Sequence, residues 1–543
     1  MSAHRLPFSS VVSALSVVSG LWLSTAAAPP QRKPAPRLVV ILVVDQMRAD
    51  YLDWYGGNLK AGLARLRREG AVFREAAYPY LNTITCAGHA TIGTGSFPYR
   101  HGMIMNNWFD RTTGKAPYCT DDPEMTEISY NGLSSVQGDS AKRLLTPAIG
   151  EQIMSRGGRS VAISLKPRSA VTLVGHKTTS VLWFDDRGGW TTSTAFADRP
   201  VPFVRDFIDA NPITADYDRI WDRTLPLSAY QGEDEVPTEG TTSGWTRSFP
   251  HPLGQPNGKP DAQFYGRWQR SPYADEYLAR LAMASIDALQ LGRRETTDFL
   301  GLSFSAVDGV GHVFGPRSHE IQDMLVRLDR TLGRLLDHLD KAVGVGNYVI
   351  GLSADHGVAE IPEQVGAGRV ASKTVIDVLQ KVLEPALGPG THIANSSYTN
   401  IYLSDAARLR VKKDKKLRTR ALNALRSIEG IKYAYWGEDL ATEAARNSSD
   451  PVRRAAALSH HAERSGDVII APAEKWILST SVTTHGTHYA YDQRVPVVLF
   501  GAAVRPGRYA GVATPADLVP TLAAIAHVSI APTDGRVLKE ALN

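Results

Sequence analysis

Cysteine is nearly absent from this chain: Cys86 and Cys119 are the only two in 543 residues. A framework of several disulfides is excluded, and one pairing at most is open. Long apolar runs are as scarce. Beyond residues 11–23 there is no other, which argues against a chain that crosses a membrane repeatedly. Neither sign of charge dominates, with 60 Lys and Arg against 55 Asp and Glu. The resulting net charge of +5 and isoelectric point near 9.0 suit an anionic substrate but are too mild to indicate nucleic acid. Internal repeats are also lacking. What is present is an ordinary folded composition, 43% hydrophobic and 21% charged. The length exceeds one simple core, so one large α/β domain with insertions, or two domains, is expected.

The N-terminus reads as a processing segment. Arg5 precedes the apolar run, and "STAAAPPQRKPAP" follows it. A basic start, a short apolar stretch and small residues describe a secretory signal over residues 1–28, with the cut placed after Ala27 because Pro29 suits the position after a cut poorly. The run is short for a membrane span, and no cysteine follows it to carry a lipid. A periplasmic or secreted protein is therefore expected, in a compartment where Cys86 and Cys119 could pair.

Short β-branched runs alternate with helical patterns along the rest of the chain. "RLVVILVVD", "RSVAISLKPR", "TDFLGLSFSAVD", "NYVIGLSADHG" and "RVPVVLFGAAV" read as buried parallel strands. "ADEYLARLAMASIDALQLG" and "IQDMLVRLDRTLGRLLDHLDKAV" read as helices before the third and fourth. This alternation predicts a doubly wound α/β fold, a mostly parallel central sheet with helices on both faces. Two stretches break the pattern, 181–272 and 361–480, and read as sizeable insertions, the second cap-like. The core is then expected in three parts, residues 37–180, 273–360 and 481–543. The basic run "RLRVKKDKKLRTRALNALRSI" within 361–480 reads as a solvated helix face.

Polar residues stand just beyond the ends of these apolar runs, where open α/β sheets bind ligands. Asp45, Asp308 and Asp355 lie there, with Lys166 and Arg168 beside them. Asp308 and His312 are four apart, close enough on one helical turn to grip an ion. Asp355 adjoins His356, and "TTHGTHYAYD" adds His485 or His488. Carboxylate and imidazole together suit zinc. Pro167 pushes Lys166 toward extended geometry, and period-two alternation would then send Lys166 and Arg168 to one side, as a clamp for a doubly charged phosphate. Thr85 sits where "CAGHATIGTG" starts a helix, at the end that favours an anion. On residue chemistry alone Thr83, Thr85 and Thr91 are not separable, and Cys86 would be the stronger nucleophile.

The order and spacing of these motifs resemble the alkaline phosphatase superfamily from Asp45 to about Gly501, most weakly in the two insertions. The marks are "VVDQMRADYL", "TCAGHATIGTGSFPYRHGMIMN", "SLKPRSA", "VDGVGHVFGP", "SADHG" and "THGTHYAYDQRVP". In that family the nucleophile stands four residues before a histidine and twenty-one before an asparagine, offsets that here select Thr85, His89 and Asn106. The pattern is similar to exported bacterial alkaline phosphatases that use a threonine, an asparagine and a Lys-x-Arg pair. The resemblance implies two zinc ions. Asp45, Asp355 and His356 would hold one, which also contacts the Thr85 oxygen, and Asp308, His312 and His485 the other, His485 being followed by glycine. Asn106, Lys166 and Arg168 would bind phosphoryl oxygens. "CAGH" departs from the Pro-Gly or Pro-Asn that close relatives often carry before the histidine.

The implied activity is hydrolysis of small-molecule phosphate monoesters with broad specificity, through a covalent phospho-threonine. It requires no nucleic acid and no stable membrane insertion once the signal is cleaved. The nearest alternative is a phosphodiesterase or nucleotide pyrophosphatase of the same superfamily. A diester carries one charge and a second substituent, so two clamping cations favour monoesters. A sulfatase would need its cysteine in C-x-P-x-R or a close variant, whereas Cys86 heads "CAGHA". A non-catalytic zinc-binding protein is the alternative from another class, and no expected position is missing to support it.

Overall fold

An unbroken aliphatic run, LVVILVV, forms the strand Leu38–Val44, and every residue in it is fully buried. Successive side chains of a strand point to opposite faces. Leu38, Val40, Leu42 and Val44 accordingly join one apolar cluster, and Val39, Ile41 and Val43 another. A strand apolar on both faces needs a covering layer on each side.

The computed structural model describes residues 34–543 apart from 134 and 257, with residues 1, 4, 7 and 9. The expected signal, residues 1–28, falls outside the described residues but for those few positions. Met1–Pro34 stands as a unit by itself, and among the described residues the sheets and helices belong to the second unit, Ala35–Asn543.

The strands Leu38–Val44 (β1), Ser160–Ser164 (β2), Asp298–Phe304 (β3) and Tyr348–Ser353 (β4) are parallel neighbours in the spatial order β4-β1-β3-β2. They form the centre of an 11-stranded sheet. Among the described residues only its strands Gln137–Asp139, Gly189–Ser193 and Val497–Gly501 run against the rest. The sequence groups "RVPVVLFGAAV" with the parallel strands, but Val497–Gly501 pairs antiparallel to β4. A run buried on both faces carries no record of its direction, since burial is the same either way.

Helices cover both faces. Pro272–Ala288 and His319–Ala342 pack on the first cluster. Thr85–Thr94 (α1), Pro167–Val174 (α2) and Leu518–Ile525 pack on the second. Residues 180–193 add two strands to the main sheet, so the stretch from 181 onward begins inside the core. Residues 361–480 hold a four-stranded sheet of Ile393–Ser397, Asn400–Leu403, Ile431–Trp436 and Val468–Pro472 with its own apolar cluster. The basic helix Lys415–Arg426 buries Leu417, Ala421 and Leu425 there and exposes its lysines. Among the described residues no helix is long and apolar enough to cross a membrane.

Candidate active site

Asp45 follows β1 directly, Lys166 follows β2 by two residues, and Asp355 follows β4 by two. Asp308 lies in the first turn of the helix Ala306–Phe314 (α3), just beyond β3. Four parallel strands thus deliver three carboxylates and an ammonium to one carboxyl edge, the usual ligand position of such sheets.

α1 brings the hydroxyl. Its N-cap is Ile84, in extended conformation, and no side chain caps the helix. Thr85 Oγ therefore stays free of the backbone and lies 3.3 Å from His356 Nε2. The other two threonines are engaged elsewhere: Thr83 donates to the Thr487 carbonyl at 3.0 Å and Thr91 to the Ala87 carbonyl at 2.9 Å. Gly88 permits the approach of α1 to the strand edge, because a Cβ there would fall 2.1 Å from the main-chain oxygen of Asp355.

Three imidazoles meet the carboxylates in the same way. Nδ1 of His312, His356 and His485 faces the carbonyl oxygen of Thr483, Gly357 and Thr83 at 3.0, 2.9 and 2.8 Å. A carbonyl can only accept, so each Nδ1 carries the hydrogen and each Nε2 is left to the carboxylate side. His356 Nε2 lies 3.2 Å from Asp355 Oδ2 and 3.6 Å from Asp45 Oδ1, two oxygens that accept no hydrogen bond among the described residues. His312 and His485 Nε2 lie 3.2 and 3.8 Å from Asp308 Oδ1. Asp45, Asp355 and His356 are fully buried.

Lone pairs of nitrogen and oxygen facing one another in a buried site repel unless a cation stands between them. Burial, then the charge of Asp355, pushes the Asp45 carboxyl up to about 6. Burial opposes charge on His356, yet Asp355 pushes it up to about 9. The site calls for positive charge at Nε2, as a proton or as a metal ion. Donor sets compatible with an ion are Asp308, His312 and His485; Asp45, Asp308 and His356; and Asp45, His89 and Asp355, each with ligand atoms within 4.8 Å of one another. His488 lies apart, packed on Tyr433 and Tyr489.

Lys166 Nζ bridges Asp45 Oδ2 at 2.7 Å and Asp308 Oδ2 at 2.5 Å. Burial works against its charge, but Asp308 and Asp45 outweigh burial and hold its pKa above the ordinary value. Its backbone is extended, as Pro167 requires. The strand-like alternation expected to carry Arg168 to the same side does not apply, since Arg168 already lies in the first turn of α2. Arg168 Nε is buried and, among the described residues, has no hydrogen-bond partner. Asn106 places its Oδ1 2.9 Å from the Cys86 N–H. Cys86 is bonded to Cys119 in a disulfide, which removes it as a competing nucleophile.

Two residues in the cluster escaped the residue-level reading. His89 Nδ1 lies 3.1 Å from Asp355 Oδ2 and 2.9 Å from the Thr85 carbonyl, while its Nε2 meets Ser303 Oγ at 2.8 Å. Its signal was the spacing of four from Thr85. Gln46 donates its main-chain N–H to Asp355 Oδ1 at 3.1 Å and its Nε2 to Asp308 Oδ1 at 2.6 Å. Nothing in the pattern marks it. From the 361–480 segment, Tyr398 donates its hydroxyl to the His485 carbonyl at 2.6 Å.

A family model described as type I phosphodiesterase / nucleotide pyrophosphatase matches residues 39–491. Alkaline phosphatase PhoV of Synechococcus elongatus is 32% identical over 92% of this chain and 91% of its own length. Alkaline phosphatase PafA of Elizabethkingia meningoseptica is 30% identical over 94% of this chain and 95% of its own. A crystal structure of wild-type alkaline phosphatase PafA matches with a TM-score of 0.86 at 29% identity, covering 94% of this chain and 100% of that one. A solved PafA variant replaces a threonine, an asparagine, a lysine and an arginine together.

Proposed function

The chain belongs to the type I phosphodiesterase / nucleotide pyrophosphatase family, and from that premise we propose that it is an alkaline phosphatase, a phosphate-monoester hydrolase of broad specificity. The observation that carries the reading is the Thr85 hydroxyl at the head of α1, 3.3 Å from the Nε2 of His356, whose neighbouring carboxylate oxygens lack donors among the described residues.

In this reading Asp45, Asp355 and His356, with the Thr85 oxygen, hold one zinc ion, and Asp308, His312 and His485 hold a second. His356 is preferred to His89 because the Nε2 of His89 is turned to Ser303, whereas the Nε2 of His356 faces the Asp355 and Asp45 carboxylates and the Thr85 hydroxyl. Zinc bound there would supply Lewis acidity, lowering the pKa of a hydroxyl on one side and taking up the charge of a leaving oxygen on the other.

Thr85 Oγ then attacks phosphorus in line with the departing oxygen, and the phosphoryl group rests on the threonine until water releases it. Two displacements give net retention at phosphorus. Asn106, Lys166 and Arg168 orient the equatorial oxygens, which is most of what loose phosphoryl transfer asks of a protein. The four residue types replaced together in the PafA variant are those of Thr85, Asn106, Lys166 and Arg168.

The family description also covers diester substrates. Two cations, Lys166 and Arg168, would suit the doubly charged monoester better, and PhoV and PafA are both named alkaline phosphatases. The 361–480 segment shapes the substrate entrance as a cap, with Tyr398 as its contact to the His485 loop. Export by the N-terminal signal to the periplasm or the medium completes the reading.

The test is a comparison of initial rates on 4-nitrophenyl phosphate and bis(4-nitrophenyl) phosphate, before and after chelation and after zinc is restored. A chelator-sensitive, zinc-restored preference for the monoester is expected. A preference for the diester would transfer the assignment to the phosphodiesterases.

A further inference from the structure

Both cysteines hold Asn106. Its Oδ1 accepts from the Cys86 N–H at 2.9 Å, and its main-chain oxygen accepts from the Cys119 N–H at 2.8 Å. Cys86 and Cys119 are themselves joined. Further out, Asn107 pairs with Tyr118 and Asp110 with Lys115, so residues 106–119 close into a loop clamped at its base to the first turn of α1.

The side of this clamp that needs holding is the loop. Every residue of α1 is buried, and the helix is fixed by packing on the sheet. The loop reaches solvent, with residues 112–115 exposed. The crosslink therefore carries the rigidity of α1 into the segment that presents Asn106.

Its effect is one of orientation. With Oδ1 occupied by a backbone N–H, the amide directs its Nδ2 hydrogens elsewhere, and among the described residues no acceptor meets them. An amide fixed in this sense is a donor only, which is what an anionic phosphoryl oxygen beside Thr85 requires. Building on the reading of Asn106 as a phosphoryl-oxygen ligand, we propose that the Cys86–Cys119 disulfide is a positioning element that sets Asn106 against Thr85 for phosphate recognition.

A double-mutant cycle tests this. Cys86→Ala with Cys119→Ala keeps both backbone donors and removes only the crosslink. In otherwise native enzyme, kcat/KM on 4-nitrophenyl phosphate should fall about tenfold, the scale of one hydrogen bond to a charged group. The inhibition constant of inorganic phosphate should rise by a similar factor while zinc content stays unchanged. In an Asn106→Ala background the same cysteine changes should cost less than about twofold. An equal loss in both backgrounds would overturn the proposal, as would unchanged phosphate inhibition in the crosslink-free enzyme. If Asn106→Ala itself left kcat/KM intact, the assignment of Asn106 would fall first, which separates the two failures. Both half-cystines are fully buried among apolar residues. Should the alanine pair fail to fold, Cys86→Val with Cys119→Ala refills the space and carries the same comparison.

Discussion

His356 and Thr85 meet through Nε2 and Oγ at 3.3 Å, while the far side of the imidazole faces the Gly357 carbonyl at 2.9 Å. The backbone thus fixes which nitrogen faces the hydroxyl, and α1 fixes the hydroxyl without using it as a cap.

If Thr85 is the nucleophile, Thr85→Ala should lower kcat on 4-nitrophenyl phosphate by at least about a thousandfold, since residues that act as a unit lose nearly everything singly. Metal content, measured by elemental analysis, should remain, because the six carboxylate and imidazole groups proposed as ligands are kept. Near-native turnover would remove Thr85 from the mechanism.

Lys166→Ala with Arg168→Ala should separate ester classes. Each lost charge-assisted contact is worth about 1.5–3 kcal/mol, so monoester kcat/KM should drop by two orders of magnitude or more, roughly. Diester hydrolysis, with one phosphoryl charge fewer, should suffer much less. Equal losses on both esters would count against the clamp.

Gly88→Ala probes the seat of α1. A Cβ there meets the main-chain oxygen of Asp355 at 2.1 Å, and main chain yields less readily than a side chain. Overpacking of this kind costs about 1–3 kcal/mol. Denaturant unfolding should show that loss, and kcat/KM should fall with it because α1 and Asp355 are pushed apart. A variant with native stability would mean that α1 shifts freely.

Glu239 ties stability to pH. Burial first, then Glu320 and Asp234, pushes its carboxyl up from 4.5 to about 9, with Arg247 opposing. The folded protein keeps a proton that the unfolded chain releases, so the stability it contributes is complete below about pH 4.5 and is lost as pH rises toward about 9. Glu239→Gln should raise the thermal midpoint over wild type near pH 9, with the gap closing toward pH 5. A gap independent of pH would exclude this source.

Pattern and chemistry reached different depths along the chain. The parallel strands were legible because a strand covered on both faces must be continuously apolar, as Leu38–Val44 is. The direction of Val497–Gly501 was not, because apolar burial is symmetric under reversal. Asp308 and His312 could be paired from their spacing, since one helical turn brings them to 3.2 Å. Gln46 could not: its two bonds, to Asp355 and Asp308, join residues 309 and 262 positions away.

By itself the sequence determined the four parallel strands at the centre of the sheet, the strand ends that would carry Asp45, Lys166, Asp308 and Asp355, and a family resemblance that singles out Thr85. The strands and their ends are local matters, legible from periodicity, propensity and short spacing, while Thr85 rests on the resemblance. Only the tertiary structure decided that Cys86 is spent in a disulfide and that Thr83 and Thr91 are occupied elsewhere. It also decided that Arg168 lies on a helical turn, and that three imidazoles present Nε2 to the carboxylates. Those outcomes depend on which backbone carbonyl or distant side chain a group meets once the chain is packed. Sequence distance carries no information about such meetings.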